Sequence, residues 1–345
     1  MELDEALFRT LHGDAVRREE FERQSGVRHR KKFDERLVLE KIYRSRRVSE
    51  VVWGERPDFR LRSRPGDPTF GVEVVRFFDS PSSARLRELP GYSEHLLSGG
   101  SVRHKQDLTG FTVTKVQIID QDGAPIVSDY PAIMRKQPSV AECVSGVCSV
   151  IQDKEGLCSV AHDLSHMNLI VDDRTGVLTT TASADFYRVF CTQELQRVVF
   201  QSRFREIFFL SRFKSGPAYV PLKMLLTLGR LFFFQEAVLK SGRADSMEIA
   251  DYMAMAAAYL RSLVREPVGI RPEGATAEVL YGDSGFILSD ELHTTVRTYM
   301  DTPWPTADIS GATLPAWPND LLPVLENVEA DSTFTSEIAF PVEPR

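Results

Sequence analysis

The sequence predicts an α/β (α+β) protein with a mixed central sheet flanked by helices, followed by a mainly helical C-terminal region. Three observations support this fold class. Residues 55–78 read as two short strands joined by a polar turn. Residues 33–43 and 138–161 place apolar side chains at helical spacing, and residues 167–173 form a short apolar run that ends in two acids. The expected order is helix, two strands, helix, strand.

The strand pair at residues 55–78 brings two acids together. Its first strand opens directly after Pro57-Asp58, and its second carries Glu73 in its middle. The segment between them, residues 62–68, is rich in Pro and Gly, which favour a chain reversal. A hairpin therefore places Asp58 and Glu73 on neighbouring strands. Two such carboxylates repel each other unless a cation lies between them, and a divalent metal ion is the usual solution.

These residues resemble the signature of the PD-(D/E)xK, or restriction-endonuclease-like, nuclease superfamily. That signature is Pro-Asp before one strand, then an acid with Lys two positions later on the next strand. Pro57, Asp58 and Glu73 match it in order and spacing, whereas Val75 stands where the lysine belongs. The similarity spans residues 33–175, and an ordinary exposed hairpin with acidic residues is the alternative interpretation.

The resemblance implies a restriction-endonuclease-like core and a metal-dependent reaction. Asp58 and Glu73 are then ligands of Mg²⁺ or Mn²⁺, with the backbone carbonyl of Val74 as a further ligand. The implied activity is hydrolysis of phosphodiester bonds in nucleic acid, with DNA favoured over RNA. Proteins of this kind act in restriction, repair or phage defence.

Superfamily members also begin with a helix that often carries a Glu facing the metal site. In the predicted helix at residues 33–43, Glu40 is the best match and an auxiliary catalytic residue. Glu35 and Glu50 are the reserves. A solvated helix Glu is an equally good interpretation of any one of them.

The missing lysine has one main replacement. Some superfamily members carry it on the following helix, and Lys154 lies on the predicted helix before residue 167, where it can stabilise developing negative charge. Lys105 and Lys136 are weaker candidates, and a solvated Lys154 is the alternative. Arg76 is a poor substitute, since side chains alternate along a strand and Arg76 faces away from Glu73. Without any lysine the domain is an inactive relative that only binds.

Charge is unevenly distributed along the chain, whose net charge is -7. Residues 28–64 contain thirteen Lys or Arg against six Asp or Glu. A basic patch of this kind binds phosphates by releasing counterions, although a solvated helix face has the same composition. The candidate nucleic-acid-binding residues are Arg44, Arg46, Arg47, Arg60, Arg62 and Arg64.

The chain divides into four predicted parts. Residues 1–30 form a charged N-terminal helix and residues 31–215 the PD-(D/E)xK-like α/β domain. Residues 216–300 form a mainly helical region with one β-hairpin. This C-terminal region offers a surface for a protein partner or for homo-oligomers. Residues 301–345, with eight acids and one Arg, form a Pro-rich acidic tail that, as a hypothesis, shields the basic patch by mimicking nucleic acid.

Composition narrows the remaining choices. Hydrophobic residues make up 42% of the 345-residue chain and charged residues 26%, as in ordinary globular proteins. We expect a cytoplasmic protein, because the N-terminus is acidic without an apolar signal region and the four cysteines are few. The most apolar stretch, residues 222–239, is interrupted by charged residues and predicts a core helix rather than a membrane span. Cys143, Cys148 and Cys158 lack the spacing of common zinc sites, so buried thiols are favoured over zinc. The runner-up function is an inactive nuclease-fold module that binds nucleic acid or a partner protein in a larger assembly.

Overall fold

A mixed central sheet of seven strands organises the protein. The computed structural model describes residues 2–3, 32–43, 48–159, 162–243, 247–273, 276–288, 294–298 and 320–330. The strands are β1 (Glu2–Leu3), β2 (Glu50–Trp53), β3 (Phe59–Arg62), β4 (Phe70–Phe77), β5 (Thr112–Ile119), β6 (Pro125–Met134), β7 (Met167–Asp173), β8 (Glu206–Phe213), β9 (Gly216–Pro221), β10 (Gly269–Glu273), β11 (Thr276–Tyr281), β12 (Ser284–Leu288) and β13 (Thr294–Thr298). The central sheet has the order β1-β2-β3-β4-β7-β8-β9. Strand β7 runs parallel to both β4 and β8, and the other pairs are antiparallel, which confirms a mixed sheet.

Helices cover both faces of this sheet. They are α1 (residues 32–42), α2 (Pro81–Glu88), α3 (Tyr92–Leu97), α4 (Asp107–Gly110), α5 (Val140–Lys154), α6 (Phe186–Phe190), α7 (Gln193–Gln201), α8 (Leu222–Lys240), α9 (Ile249–Leu263) and α10 (Leu321–Ala330). Helix α1 packs on one face, and α5, α7 and α8 lie in the core of the other. Strand β7 is buried at every residue because both of its faces are covered.

Helix α5 delivers the candidate lysine and begins at a capping box. Ser139 Oγ accepts a hydrogen bond from the Glu142 amide at 3.2 Å, and Glu142 Oε2 accepts one from the Ser139 amide at 2.7 Å. The helix therefore starts after Pro138 rather than at it. It ends at Lys154 and continues as the 3₁₀ helix Glu155–Ser159, so it is shorter than the sequence predicts.

Residues 183–197 do not form one continuous helix. The chain forms the 3₁₀ turn Ser183–Asp185 and then α6, and a new helix, α7, starts only after Thr192. The reason is local: Thr192 has extended backbone and its hydroxyl accepts a hydrogen bond from the Leu195 amide at 3.2 Å. This is an N-cap, which separates two helices that share one apolar pattern.

The C-terminal part contains more strand than the sequence predicts. In place of one hairpin, β10 to β13 form a four-stranded antiparallel sheet beside α8 and α9. The polar strand β13 completes this sheet, and its Thr-rich sequence carries no apolar alternation. The expected boundary at residue 215 falls in the turn between β8 and β9, which are neighbours in the central sheet.

A buried polar cluster joins the two sheets. Asn168 at the start of β7 donates to Tyr43 Oη at 2.6 Å and to Asp283 Oδ2 at 3.1 Å. Asp283, in the β11–β12 turn, also pairs with Arg205 Nε at 2.5 Å. Each of these groups is more than nine-tenths buried, so the partners compensate the cost of removing them from water.

Glu206 anchors α8 from within the same region. Its carboxylate accepts hydrogen bonds from the backbone amides of Lys223 at 2.8 Å and Met224 at 3.2 Å, in the first turn of α8. Burial, and then the charge of Asp283, raise its pKa to about 8. The side chain thus acts as an N-cap supplied by a neighbouring strand.

The remaining elements surround this body. Strands β5 and β6 form a separate two-stranded sheet that ends at Met134. Of the tail, the described part is α10, which packs its apolar side chains into the main core. Of the expected N-terminal helix, residues 2–3 instead form β1, which pairs with β2, and the rest of residues 1–30 lies outside the described residues. Within the described ranges, no helix has the length and apolarity needed to cross a bilayer.

Close packing at the start of β4 gives a test of the fold. A Cβ atom on Gly71 would lie 2.2 Å from Met167 Sδ, 2.8 Å from Leu164 Cδ1 and 2.9 Å from Pro57 Cγ. We expect Gly71→Ala to lower the free energy of unfolding by about 1–3 kcal/mol because the site is overpacked. Urea unfolding measures this. The control is Gly156→Ala, where a Cβ meets nothing within 4 Å; an equally stable Gly71→Ala would contradict the packing.

Candidate functional site

The hairpin places Asp58 and Glu73 in direct register. Strand β3 begins at Phe59, which pairs with Val72, so Asp58 lies beside Glu73 at the point where the pairing ends. The Asp58 amide donates to Glu73 Oε2 at 3.3 Å, and the Val74 amide donates to Asp58 Oδ2 at 3.0 Å. A short β3 leaves this edge of β4 open, which allows a side chain to take the place of a backbone partner. Both carboxylates are buried.

Two lysines from different helices reach these carboxylates. Lys154, the last residue of α5, donates to Glu73 Oε1 at 2.7 Å. Lys32, at the start of α1, donates to Asp58 Oδ1 at 2.6 Å and lies 3.2 Å from Glu35 Oε2. Each carboxylate is thus held by one ammonium group and one backbone amide. This arrangement balances two negative charges that burial would otherwise make costly.

The electrostatics of the site reflect this balance. Burial, and then the charge of Asp58, raise the pKa of Glu73 above 4.5, while Lys154 opposes the shift. For Lys32, burial acts to lower the pKa, but the hydrogen bond and charge of Asp58 and the charge of Glu35 together raise it above 10.5. Lys32 therefore stays charged, and Glu73 takes up a proton at a higher pH than a free glutamate does.

The structure places the candidate helix acids differently from one another. Glu40 accepts a hydrogen bond from Arg36 Nε at 3.0 Å on α1. Glu35, one of the two reserves, is linked to Asp58 through Lys32. The two acids are five residues apart, or about 140° around the helix, so they face different directions. Glu50, the other reserve, pairs with Arg62 at 3.2 Å.

The predicted basic patch is only partly described. Arg60 forms an ion pair with Asp163, Arg62 pairs with Glu50, and Arg64 is exposed. Arg44, Arg46 and Arg47 lie outside the described residues. Ion pairs at this degree of exposure contribute little to stability.

Arg76 occupies the opposite side of β4, as the alternation of side chains predicts. It pairs with Asp34 of α1 at 3.1 Å and with Glu88 of α2 at 2.8 Å. Val75, in contrast, shares the Glu73 face and packs against the core that contains α5. The position of the motif lysine on β4 is therefore apolar, and the ammonium group arrives from α5 instead.

The donor set fits a hard divalent cation. Asp58 and Glu73 supply carboxylate oxygens, and the Val74 carbonyl points to the same open strand edge as its amide. Mg²⁺ is commonly held by one or two carboxylates and keeps several waters. In the described part of the chain, no three or more His, Cys, Asp or Glu side chains form a group that could hold a metal ion, so an ion held by Asp58 and Glu73 would take its other ligands from the backbone or from water.

The histidines and cysteines have structural surroundings. The ring of His166 stacks on Phe70 with centroids 4.8 Å apart, and burial together with Arg205 lowers its pKa. His162 is exposed. Cys143 and Cys148 are buried free thiols in the core, where burial raises their pKa. These surroundings give the zinc alternative no ligand group among the described residues.

Sequence reasoning missed Lys32 as a site residue. It was visible only as one member of a basic run, and its partner Asp58 is 26 positions away. The available signal is its i, i+3 spacing from Glu35 at the start of a helix that packs on β4.

Comparisons of this chain with protein families, with curated proteins and with solved structures gave no match.

The Lys154–Glu73 pair gives a test of the site as a charge-balanced unit. Lys154→Met leaves the buried Glu73 facing Asp58 without its ammonium partner. We expect a loss of about 1–3 kcal/mol in the free energy of unfolding at neutral pH, discounted for the partial exposure of Lys154. Because the folded-state pKa of Glu73 is raised, the carboxyl becomes neutral in mild acid and the loss shrinks there. Urea unfolding at both pH values measures this.

The control is the same substitution at an exposed lysine, Lys214→Met. In a Glu73→Gln background the effect of Lys154→Met should nearly vanish, because no charge remains to balance. As pH rises above 4.5, the unfolded wild type releases the Glu73 proton more readily than the folded protein does, so the wild type loses stability. Glu73→Gln has no such proton, and its stability should therefore rise relative to that of the wild type. A loss from Lys154→Met that is equal at both pH values would contradict the pairing.

Proposed function

We propose that this protein is a metal-dependent nuclease that cleaves phosphodiester bonds in nucleic acid, with DNA as the favoured substrate. The observation that carries the proposal is that three side chains converge at one strand edge. They are Asp58 directly before β3, Glu73 of β4 and Lys154 of α5. These are the acids and the displaced lysine of the PD-(D/E)xK pattern. The proposal extends to a role in restriction, repair or phage defence.

The site residues have separate roles in this reaction. Asp58, Glu73 and the Val74 carbonyl hold Mg²⁺ or Mn²⁺, which activates water and polarises the phosphate when it is bound. Lys154 keeps about a third of its side chain exposed while its ammonium lies 2.7 Å from Glu73. It therefore reaches the substrate side of the site and stabilises negative charge that develops on the phosphoryl oxygens.

Lys32 adds a competitor for the metal ion. Its ammonium occupies Asp58 Oδ1 and bridges to Glu35, so Lys32 and Lys154 together balance the charges of Asp58 and Glu73 without a divalent cation. A metal ion that binds Asp58 must displace this ammonium. Lys32 thus sets the metal affinity of the site, and Glu35 orients Lys32.

One observation favours the alternative of an inactive binding module. Two lysines already neutralise Asp58 and Glu73, so the fold is stable with the acids serving as structural groups. In that case Arg60, Arg62 and Arg64 bind nucleic acid, or another surface binds a protein, without cleavage.

Cleavage of plasmid, single-stranded DNA and RNA with Mg²⁺ or Mn²⁺ tests the proposed function. We expect metal-dependent cutting that is lost in Asp58→Asn and Glu73→Gln. Lys154→Met should cut about 10²–10³-fold more slowly, the effect of removing one charge-stabilising donor. Adding Val75→Lys to Lys154→Met should restore part of the rate, because Val75 shares the Glu73 face.

Lys214→Met, an exposed lysine on the β8–β9 turn, is the matched control and should cut at the wild-type rate. A folded wild type that cuts none of the three substrates with either metal would overturn the nuclease proposal and support the binding module. Electrophoretic mobility shifts with the same nucleic acids then measure binding.

The role of Lys32 predicts an effect on metal binding itself. Lys32→Met should bind Mn²⁺ about tenfold more tightly than the wild type, since about 1.4 kcal/mol of competition from one half-buried charge is removed. Titration followed by electron paramagnetic resonance of free Mn²⁺ measures this without any substrate. Lys41→Met, an exposed lysine on the same helix, is the control. Weaker Mn²⁺ binding by a folded Lys32→Met would show that Lys32 supports the site instead of competing for it.

A further inference from the structure

Strands β5 and β6 form a ribbon that stands apart from the two larger sheets. Its strands are exposed along almost their whole length. Of the eleven strongly exposed large apolar side chains among the described residues, seven lie on this ribbon. They are Val113, Ile118, Ile119, Ile126, Val127, Tyr130 and Met134.

The two faces of the ribbon have different surroundings. On the first face, Ile133 and its partner Val113 lie at the base, where Ile133 packs on the small core of Tyr92, Leu96 and Phe111. The base of this face ties the ribbon to the body, whereas Ile119 near its tip is exposed. Side chains that are paired across the strands share a face, and residues two apart along a regular strand do so as well. A register shift between Val116 and Ile118 interrupts the alternation in β6, so Val127 shares the face of its partner Ile118.

The opposite face, which we call the free face, carries exposed apolar side chains from base to tip, with Thr112 and Thr114 between them. Its cross-strand pairs are Thr112–Met134, Thr114–Ala132, Val116–Tyr130 and Ile118–Val127. Met134 is 55% exposed and Tyr130 50% exposed, with Ile118 and Val127 near 40%. A two-stranded sheet is marginal by itself in water, and exposed apolar side chains grouped on one face usually mark an interaction site.

The charges on the ribbon indicate what covers the free face. The strands and tip carry Lys115 against Asp120, Asp122 and Asp129, so phosphate backbones are repelled. The acids Asp120 and Asp122 are at the tip, in the turn between the strands. The base is basic: exposed Arg103, His104 and Lys105 precede α4, which leads into β5, and exposed Lys136 follows β6.

We propose that the ribbon is a homodimerisation arm, in which the free face packs antiparallel against the free face of a second copy of this chain. A two-fold axis through the middle of the free face, near Val116 and Tyr130, places each acidic tip beside the basic base of the other copy. Such an isologous contact is self-complementary, as the charge pattern requires. The apolar pairs supply the buried area, and the ends fix the antiparallel orientation. This inference is independent of the nuclease proposal.

Sedimentation velocity of the full chain across a dilution series tests the dimer. We expect the wild type to dimerise in a concentration-dependent way and Val116→Lys to remain monomeric, because a charge at the centre of the free face cannot be buried unpaired. The matched control is Gln117→Lys. Gln117 is adjacent in sequence but lies on the first face, opposite the free face, so this variant adds the same charge and should still dimerise. Thermal unfolding confirms that both variants are folded.

A charge swap tests the antiparallel arrangement. Asp122→Lys and Lys105→Asp should each weaken the dimer at low salt, and the double variant should regain wild-type association, since tip and base then attract again in reversed sign. Asp120 is left in place because its carboxylate holds the turn through the amides of Asp122 and Ala124. A wild type that is monomeric at every concentration, a Val116→Lys variant that still dimerises, or a double variant weaker than either single one would overturn the proposal.

Discussion

The central sheet depends on the neutralisation of carboxylates that it buries. Asp58 and Glu73 are held by one lysine and one backbone amide each, and Glu206 by the amides at the start of α8. A buried carboxylate without such partners would destabilise the fold by several kcal/mol. Each partner comes from a different element, so these contacts also fix where α1, α5 and α8 lie on the sheet.

The same requirement connects stability to the proposed activity. Burial and the neighbouring Asp58 raise the pKa of Glu73, and keeping both acids charged lowers the stability of the fold. The ion pairs with Lys32 and Lys154 recover part of that stability. A divalent cation would recover it in another way by taking the place of an ammonium group. Lysine and metal are therefore alternatives for one charge balance, and under the proposed function the exchange between them would separate a nuclease from a binding module.

The C-terminal sheet is joined to the strands that carry the site. Asn168 of β7 bonds Asp283 in the β11–β12 turn, and β7 pairs with β4 along its whole length, with Glu73 opposite Leu169. The C-terminal part thus supports the site from the neighbouring strand. The β5–β6 ribbon, in contrast, leaves the body at α3 and α4 with its own small core, which frees it for a separate role.

The sequence by itself determined the mixed sheet, the hairpin that pairs Asp58 with Glu73, and the helix that carries Lys154, because alternation, turn residues and helical spacing are local patterns. It did not determine the break at Thr192, where a capping hydrogen bond interrupts a continuous apolar pattern. It also did not determine the four-stranded C-terminal sheet, because the polar strand β13 has no apolar alternation. Only the tertiary structure decided that Lys32 meets Asp58 and that Glu35, not Glu40, joins them. Contacts between distant residues depend on how helices pack across the sheet, and spacing along the chain carries no record of that packing.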